Sequence, residues 1–412
     1  MEYITETISS GLKIIFMPEE SPVTYIGFGI KVGTRNENLR KHGLAHFTEH
    51  MLFKGTQKRK SEQIIFRLEE VGAEINAFTT KEETFLYSIL PSQHFNRAFV
   101  LMADLINNSR FPQEETDKEK VVIIDEINSY KDSPAELIFD DFENLLFRGH
   151  ALGHNILGTE ASVKRFTPEM GRQFVKEFYT PDNITLFIQG KAEMSRICEL
   201  AEYLFPAQPV ILKQSDKGLK TFCERSKIDI PLLVHKRKGT YQHHIIMGAY
   251  AYSMYNNKRV TLSLINNIIG GPGMNSLLNM SLRETHGLAY NVESNYTAYT
   301  DIGMFTIYFG CSKENAEKCI ELVIEVLNSF MNTPLSSDKL IKAKRQLKGQ
   351  LAIAADNKES SFLSMGKSMM HYGKFDSLEQ IYKKIDNITA QDISDVAAEV
   401  LDPYKMNRLV YY

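Results

Sequence analysis

Three residues near the start of the chain could do chemistry together: His46, Glu49 and His50, within the run HFTEH. On a helix, positions i and i+4 project from one face a single turn apart, so the two imidazoles are spaced to share one ion. Neutral imidazole is a common zinc ligand, and zinc lowers the pKa of a bound water to about 7. Glu49 stands three residues after His46 beside the same face, where its carboxylate can take a proton from such a water. The order H-x-x-E-H inverts the commoner H-E-x-x-H zinc signature. Two surface histidines on an amphipathic helix would have the same spacing, and another divalent metal would suit the same donors.

A catalytic zinc normally takes three protein ligands and leaves one position for water. Glu126 is the candidate for the third, with Glu119 two helical turns earlier, so both carboxylates point the same way. The apolar run Val121-Val122-Ile123-Ile124 between them predicts a helix packed inside the protein. Buried carboxylates need partners, and a metal is one. A solvated acidic edge on an ordinary helix fits the same pattern, and periodicity does not separate the two.

The elements that must position these residues follow from the pattern of apolar residues. Residues 3–7 and 12–17 alternate around Ser-Ser-Gly as a hairpin, and 25–32 reads as a third strand. A helix beginning near Gly43 carries the histidines. A second, over 61–71, stops at Gly72. Strands are expected at 74–79, 84–90 and 184–189, and helices at 95–107 and 113–130. Residues 207–227 are rich in Lys, Ser, Gln and Asp without periodicity and read as a linker. Beyond it, strands near 231–236 and 244–250 and a helix near 257–269 restart the pattern.

The second half is a degraded copy of the first. EVGAEINAFTT at 70–80 aligns with THGLAYNVESN at 285–295, and the segment 95–127 aligns with 316–351. In that register Lys348 falls opposite Glu126, and the stretch near 261–267 that should match HFTEH has no histidine. One half keeps the ligand chemistry and the other has lost it. The expected fold is α+β: two homologous α/β-sandwich domains facing each other across a cleft. Their expected limits are 1–206 for the metal-binding domain, 207–228 for the linker and 229–412 for its copy.

Near balance of charge, with 48 basic and 51 acidic residues, gives no support to a nucleic-acid or membrane-surface role. Cys198, Cys223, Cys311 and Cys319 are scattered without a C-x-x-C pair and read as reduced thiols. The N-terminus lacks the basic and apolar regions of a signal peptide, and no run approaches a membrane span. The expected location is the cytoplasm. IIGGPGMNSLL at 268–278 lacks G-K-[ST] and the strand-then-helix grammar of a phosphate loop, so nucleotide binding is rejected. The segment 74–79, EINAFT, is expected as an edge strand to which an extended peptide could add, with Asn76, Ala77 and Phe78 lining the track.

HGLAHFTEHMLFKGT, the E-x6-E pair downstream, LGHNILGTEASV at 152–163 and YTPDNITLFIQG at 179–190 together resemble the pitrilysin family of zinc peptidases. The likeness runs through nearly the whole chain and is nearest to the short bacterial and mitochondrial-processing-peptidase-like members. It implies one zinc per chain on His46, His50 and Glu126, with Glu49 as general base and Glu119 assisting. LRETHGLAYNV at 282–292 resembles the family's Arg-x6-Tyr element, which implies that Arg283 and Tyr290 reach the substrate from the second domain. Where many relatives have Ser-Arg-Leu, this chain has Ser276-Leu277-Leu278, so the resemblance does not carry a basic contact from that loop over to this chain. The implied activity is endopeptidase action on peptides or unfolded polypeptide segments. Longer members carry four such domains, which implies a homodimer here, or a heterodimer with a related subunit. The alternatives are a catalytically silent or partner-dependent processing-peptidase subunit and, more remotely, a metal-dependent lyase. The lyases that share the motif are far shorter and lack the second glutamate pair.

Overall fold

The computed structural model describes residues 3–38, 40–207 and 231–412, so the expected linker lies outside the described residues except for Ala207. The first half runs β1 (Ile4–Thr7), β2 (Lys13–Pro18), β3 (Val23–Ile30), α1 (Leu44–Leu52), α2 (Ser61–Glu69), β4 (Glu74–Thr79) and β5 (Thr84–Pro91). It continues through α3 (Phe95–Asn108), α4 (Gln113–Lys131), α5 (Pro134–Leu146), α6 (Glu160–Val163), α7 (Pro168–Phe178), β6 (Ile184–Gly190) and α8 (Met194–Leu204). The second half begins β7 (Leu233–Lys236), β8 (His243–Ala251), α9 (Arg259–Gly270), β9 (Ala289–Ala298) and β10 (Gly303–Cys311). It ends α10 (Ala316–Asn332), α11 (Ser337–Ala355), α12 (Lys358–Tyr372), α13 (Leu378–Asp386), α14 (Ala390–Val400) and β11 (Asn407–Tyr411).

The chain forms two compact α+β units, and each is discontinuous in sequence. One takes Met1–Ser129, His154–Leu212 and Ala354–Asp376; the other takes Tyr130–Gly153, Lys213–Ile353 and Ser377–Tyr412. The division expected at 1–206 and 229–412 therefore differs from the contact-defined one at two helices: α5 belongs to the second unit and α12 to the first.

The first unit is built on a six-stranded sheet in the order β1-β2-β6-β3-β5-β4. Strands β2 and β6 pair in parallel and the other neighbours antiparallel. Every residue of β6 is buried, as expected of a strand covered on both faces. On one face Phe28, Leu86 and Leu186 meet Phe47 of α1 and Phe99 of α3 in the main core. On the other, Ile15, Met17, Phe85 and Phe187 meet Phe362, Met365, Met369 and Met370 of α12. The Phe187 ring packs at a tilt against that of Phe362, their centres 4.6 Å apart. Room for it comes from Gly27, where a Cβ would fall 2.4 Å from the ring.

The second unit repeats the plan with five strands, β7-β11-β8-β10-β9. These stand in the order of β2, β6, β3, β5 and β4, and here too the β7–β11 pair alone is parallel. The internal repeat seen in sequence is thus a repeat of topology. Helices α9, α10 and α14 cover one face, and Ile138 and Phe142 of α5 cover Ile246, Leu409 and Tyr411 on the other. Lys348, opposite Glu126 in the repeat, is held in an ion pair with Asp386 at 2.8 Å.

One expectation fails on α4. Val121 and Val122 are 59% and 48% exposed, so this helix is not packed inside. Only the stripe Thr116, Glu119, Ile123 and Ile127 is buried. A helical period separates residues that sit side by side in sequence, and two of the four apolar residues fall on the outer side.

Candidate metal centre

Helix α1 is short and enclosed: of its nine residues only His50 is not fully buried. Its apolar positions fill the core, and among its polar ones Thr48 satisfies itself on the Leu44 carbonyl at 2.7 Å. That leaves His46, Glu49 and His50 as buried or half-buried groups needing partners. The imidazole rings of His46 and His50 lie edge to face, 4.5 Å apart. Glu126 reaches them from α4, its Oε2 lying 3.8 Å from Nε2 of each histidine.

One donor atom from each of the three residues lies within 4.8 Å of the others. Tetrahedral ligands on bonds of about 2.0–2.1 Å stand about 3.4 Å apart, so small side-chain movements would close the three donors around zinc. The groups behind the donors suit it as well. The Nδ1 of His50 lies 2.9 Å from Glu119 Oε2, which accepts its proton and leaves Nε2 facing the donor cluster. Glu119 also receives Lys54 Nζ at 2.7 Å. His46 Nδ1, by contrast, is buried and has no hydrogen-bond partner among the described residues.

Electrostatics favour a cation. The carboxyls of Glu49, Glu119 and Glu126 gather around the two imidazoles, and the Lys54 ammonium pairs with Glu119 alone of the three among the described residues. Burial, with His50 beside it, pulls the His46 imidazole down to about 3, so it keeps a free lone pair at neutral pH. For His50, burial acts downward but the Glu119 hydrogen bond and the surrounding carboxylates outweigh it and raise the pKa. The field that favours a proton on His50 favours a metal ion there too. The same pair acts on Glu119 in the opposite sense: burial acts upward, but His50 and Lys54 bring it below the usual carboxylate range. Burial raises Glu126, opposed by the charge of His50.

Glu49 lies outside the donor set. Its Oε2 accepts a hydrogen bond from Thr79 Oγ1 at 2.7 Å. Burial raises its pKa, partly offset by that bond. A buried, oriented carboxylate beside a metal-donor cluster is equipped to move a proton.

Strand β4 is an edge strand, the last in its sheet. Asn76 is exposed, and Ala77 packs toward the core that contains α1. Phe78 turns to the other face, stacked on Phe85 at 5.0 Å beside the α12 cluster. In the second unit, Arg283 lies in a π-helical segment, Asn279–Thr285, and Tyr290 on the edge strand β9. The two are partners: the Arg283 guanidinium sits 4.9 Å over the Tyr290 ring, which is 73% exposed. Sequence reasoning does not single out Lys54 or Thr79. The signal available was the need of a buried carboxylate for donors, but spacing alone does not say which donor meets it.

A two-unit α+β chain with an inverted histidine–glutamate motif on a buried helix defines a class, the M16 peptidases, and this chain belongs to that family. The model described as Insulinase (Peptidase family M16) matches residues 16–160, and that described as Peptidase M16 inactive domain matches 165–347. His46, Glu49, His50, Glu119 and Glu126 all fall within the first. Among the relatives are proteins named uncharacterized zinc proteases. The one called YmxG from Bacillus subtilis is 30% identical, covering 96% of this chain and 94% of its own. One from Rickettsia bellii is 33% identical, covering 95% and 93%. The fold is shared with a protease from Helicobacter pylori, at TM-score 0.90 and 19% identity over 100% of this chain and 99% of that one. A peptidase M16 inactive domain from Pseudomonas fluorescens matches at TM-score 0.87 and 19% identity, over 100% and 98%.

Proposed function

We propose that this chain is a zinc metalloendopeptidase acting on peptides or unfolded polypeptide segments. The observation that carries the proposal is the convergence of His46, His50 and Glu126 with Glu49 beside them but outside the donor set. The family and the zinc-protease names of its relatives support it. Zinc bound to the three donors would polarise the scissile carbonyl and make a water acidic near neutral pH. Glu49 accepts the proton of the attacking water and returns it to the nitrogen of the leaving amine, so that one water is consumed per amide bond broken. Glu119 holds His50 in the tautomer that leaves Nε2 free.

An extended substrate is proposed to add to the free edge of β4 along Asn76, Ala77 and Phe78 by main-chain hydrogen bonds. The packing of Phe78 against Phe85 leaves its backbone, rather than its ring, as the contact. Arg283 and Tyr290 are proposed as further substrate contacts, Arg283 to a backbone carbonyl and Tyr290 as a donor to developing negative charge. Among the described residues no helix is long and apolar enough to cross a membrane. Action in the cytoplasm as a homodimer completes the proposal; a heterodimer with a related subunit is the variant that light scattering of the purified chain would expose.

The test is metal content by mass spectrometry together with cleavage of a quenched fluorescent peptide library. Wild type should carry about one zinc and lose activity to a chelator, and Glu126→Gln should lose both metal and activity. Glu49→Gln should keep its zinc while kcat falls about 100- to 10,000-fold. Zinc without cleavage would point instead to a silent or partner-dependent subunit, and a wild type without metal would end the proposal.

A further inference from the structure

Helix α1 has no cap of its own. The residue before it is Gly43, in the left-handed region at φ 91°, with no side chain to meet the amides of the first turn. Those amides are met from outside the helix. Glu37, whose side chain has no exposed surface, accepts from Gly43 N at 2.8 Å and from Ala45 N at 2.7 Å. One carboxylate thus takes both its oxygens to the first turn, and His46 is the next residue.

The cap is itself held. Glu37 Oε2 lies 3.3 Å from Nε2 of His154, which is also 3.0 Å from the Thr34 carbonyl. The His154 ring stacks on His42 at 3.9 Å, and Lys81 donates to the His154 carbonyl. Ser162 Oγ donates to the carbonyl of His42 at 2.7 Å. At Gly158 a Cβ would fall 2.2 Å from that same carbonyl oxygen, so the backbone of 154–162 lies directly against the entry to α1.

We infer that Glu37, anchored by His154, is a positioning residue for the metal centre: it fixes where α1 begins and so where His46 points. This rests on the metallopeptidase reading above. A helix of nine residues is too short to hold its own first turn. His46 lies in that turn and no hydrogen bond among the described residues steadies its Nδ1, so the backbone is left to aim its ring. His50 differs, because Glu119 holds it directly. The two histidines are therefore steadied by different means, one through its ring and the other through its helix.

Burial pushes the Glu37 carboxyl up to about 8 against the pull of the Ala45 and Gly43 amides. Glu37→Gln, which keeps the shape and one acceptor oxygen, therefore serves as the conservative variant, and Glu37→Ala removes the cap. The measurement is zinc affinity of the metal-free full chain by chelator competition, together with the visible spectrum of the cobalt(II) form. Asn357→Ala is the control: Asn357 caps α12 by accepting from Ser360 N at 2.9 Å, so its loss weakens the same unit away from the centre. Circular dichroism establishes that each variant is folded.

Glu37→Ala should bind zinc about 10- to 100-fold more weakly, as loss of outer-shell support does elsewhere, with an altered cobalt spectrum. Glu37→Gln should fall between it and wild type, and Asn357→Ala should match wild type. Affinity of Glu37→Ala within about threefold of wild type, or an equal loss in Asn357→Ala, would overturn the inference while leaving the peptidase proposal standing. A wild type that takes up no zinc would remove both.

Discussion

Glu49 and Glu119 are both buried glutamates of the centre, yet their partners set them different tasks. Glu119 is fixed between His50 and Lys54, two groups able to carry positive charge, and is kept ionised. Glu49 accepts instead from a neutral group, the hydroxyl of Thr79, and burial holds its proton affinity up. A hydrogen bond to a charged group contributes about 1.5–3 kcal/mol, so if Glu49 is the proposed base, Thr79→Val should lower kcat about 10- to 100-fold by loosening it. Zinc content should not change, because Thr79 touches no donor atom. Steady-state kinetics beside metal analysis checks this, and a parallel fall in zinc would assign Thr79 to the integrity of the centre instead. The triplet His46, Glu49 and His50 was legible in the sequence because one helical turn brings its members together. Glu126 was only half legible: its spacing from Glu119 gave a shared face, and the family likeness was needed to choose a metal over solvent. Thr79 and Lys54 were not picked out, because a pairing made across the fold leaves no periodic mark.

Among elements, α12 shows how a helix from late in the chain is bound to an early sheet. Beyond its apolar face, it places His371 Nε2 2.6 Å from the carboxylate of Glu83, in the turn before β5, with Lys367 at 3.2 Å. Burial alone would raise the Glu83 carboxyl, but the His371 hydrogen bond, the Lys367 charge and Thr80 outweigh it and bring it down to about 2. A carboxylate whose pKa is depressed on folding adds stability above its unfolded pKa, near 4.3, and loses that contribution as pH falls toward the folded value. Glu83→Gln should cost about 3 kcal/mol at neutral pH, and the gap from wild type should narrow between about pH 5 and pH 2. Chemical denaturation across that range checks it; a gap that stays constant on acidification would show that the charge of Glu83 is not what ties α12 down. The elements placed from apolar period, β1 to β8 with α1 to α4 and α9, have boundaries within a few residues of those expected, whereas α5 to α8 and α12 to α14 were not placed. What period could not give was which sheet a helix covers, since α5 and α12 have apolar faces that would serve either. Nor could it assign inside and outside within Val121-Val122-Ile123-Ile124, where only the phase of the helix decides.

For the whole molecule, the exchange of α5 and α12 means that cutting at the expected linker does not yield complete units. A fragment of residues 1–206 would contain His46, His50 and Glu126 and all six strands of the first sheet. It would leave Ile15, Met17, Phe85 and Phe187 without the helix that covers them. An apolar sheet face of that kind drives association or a loosely packed state. The fragment should therefore aggregate or melt without cooperativity, as calorimetry would show, whereas the full chain should melt sharply. A cooperative transition and zinc uptake by 1–206 alone would show that α12 is dispensable. The same exchange also imposes an order in time on synthesis. Chains are made at about 5–20 residues per second, and roughly 180 residues separate the end of β6 from the end of α12, so the first sheet waits on the order of 10–40 s for its cover. Through that interval the nascent chain presents all six strands with one greasy side uncovered, the kind of surface that makes a growing chain prone to aggregate and dependent on protection during synthesis.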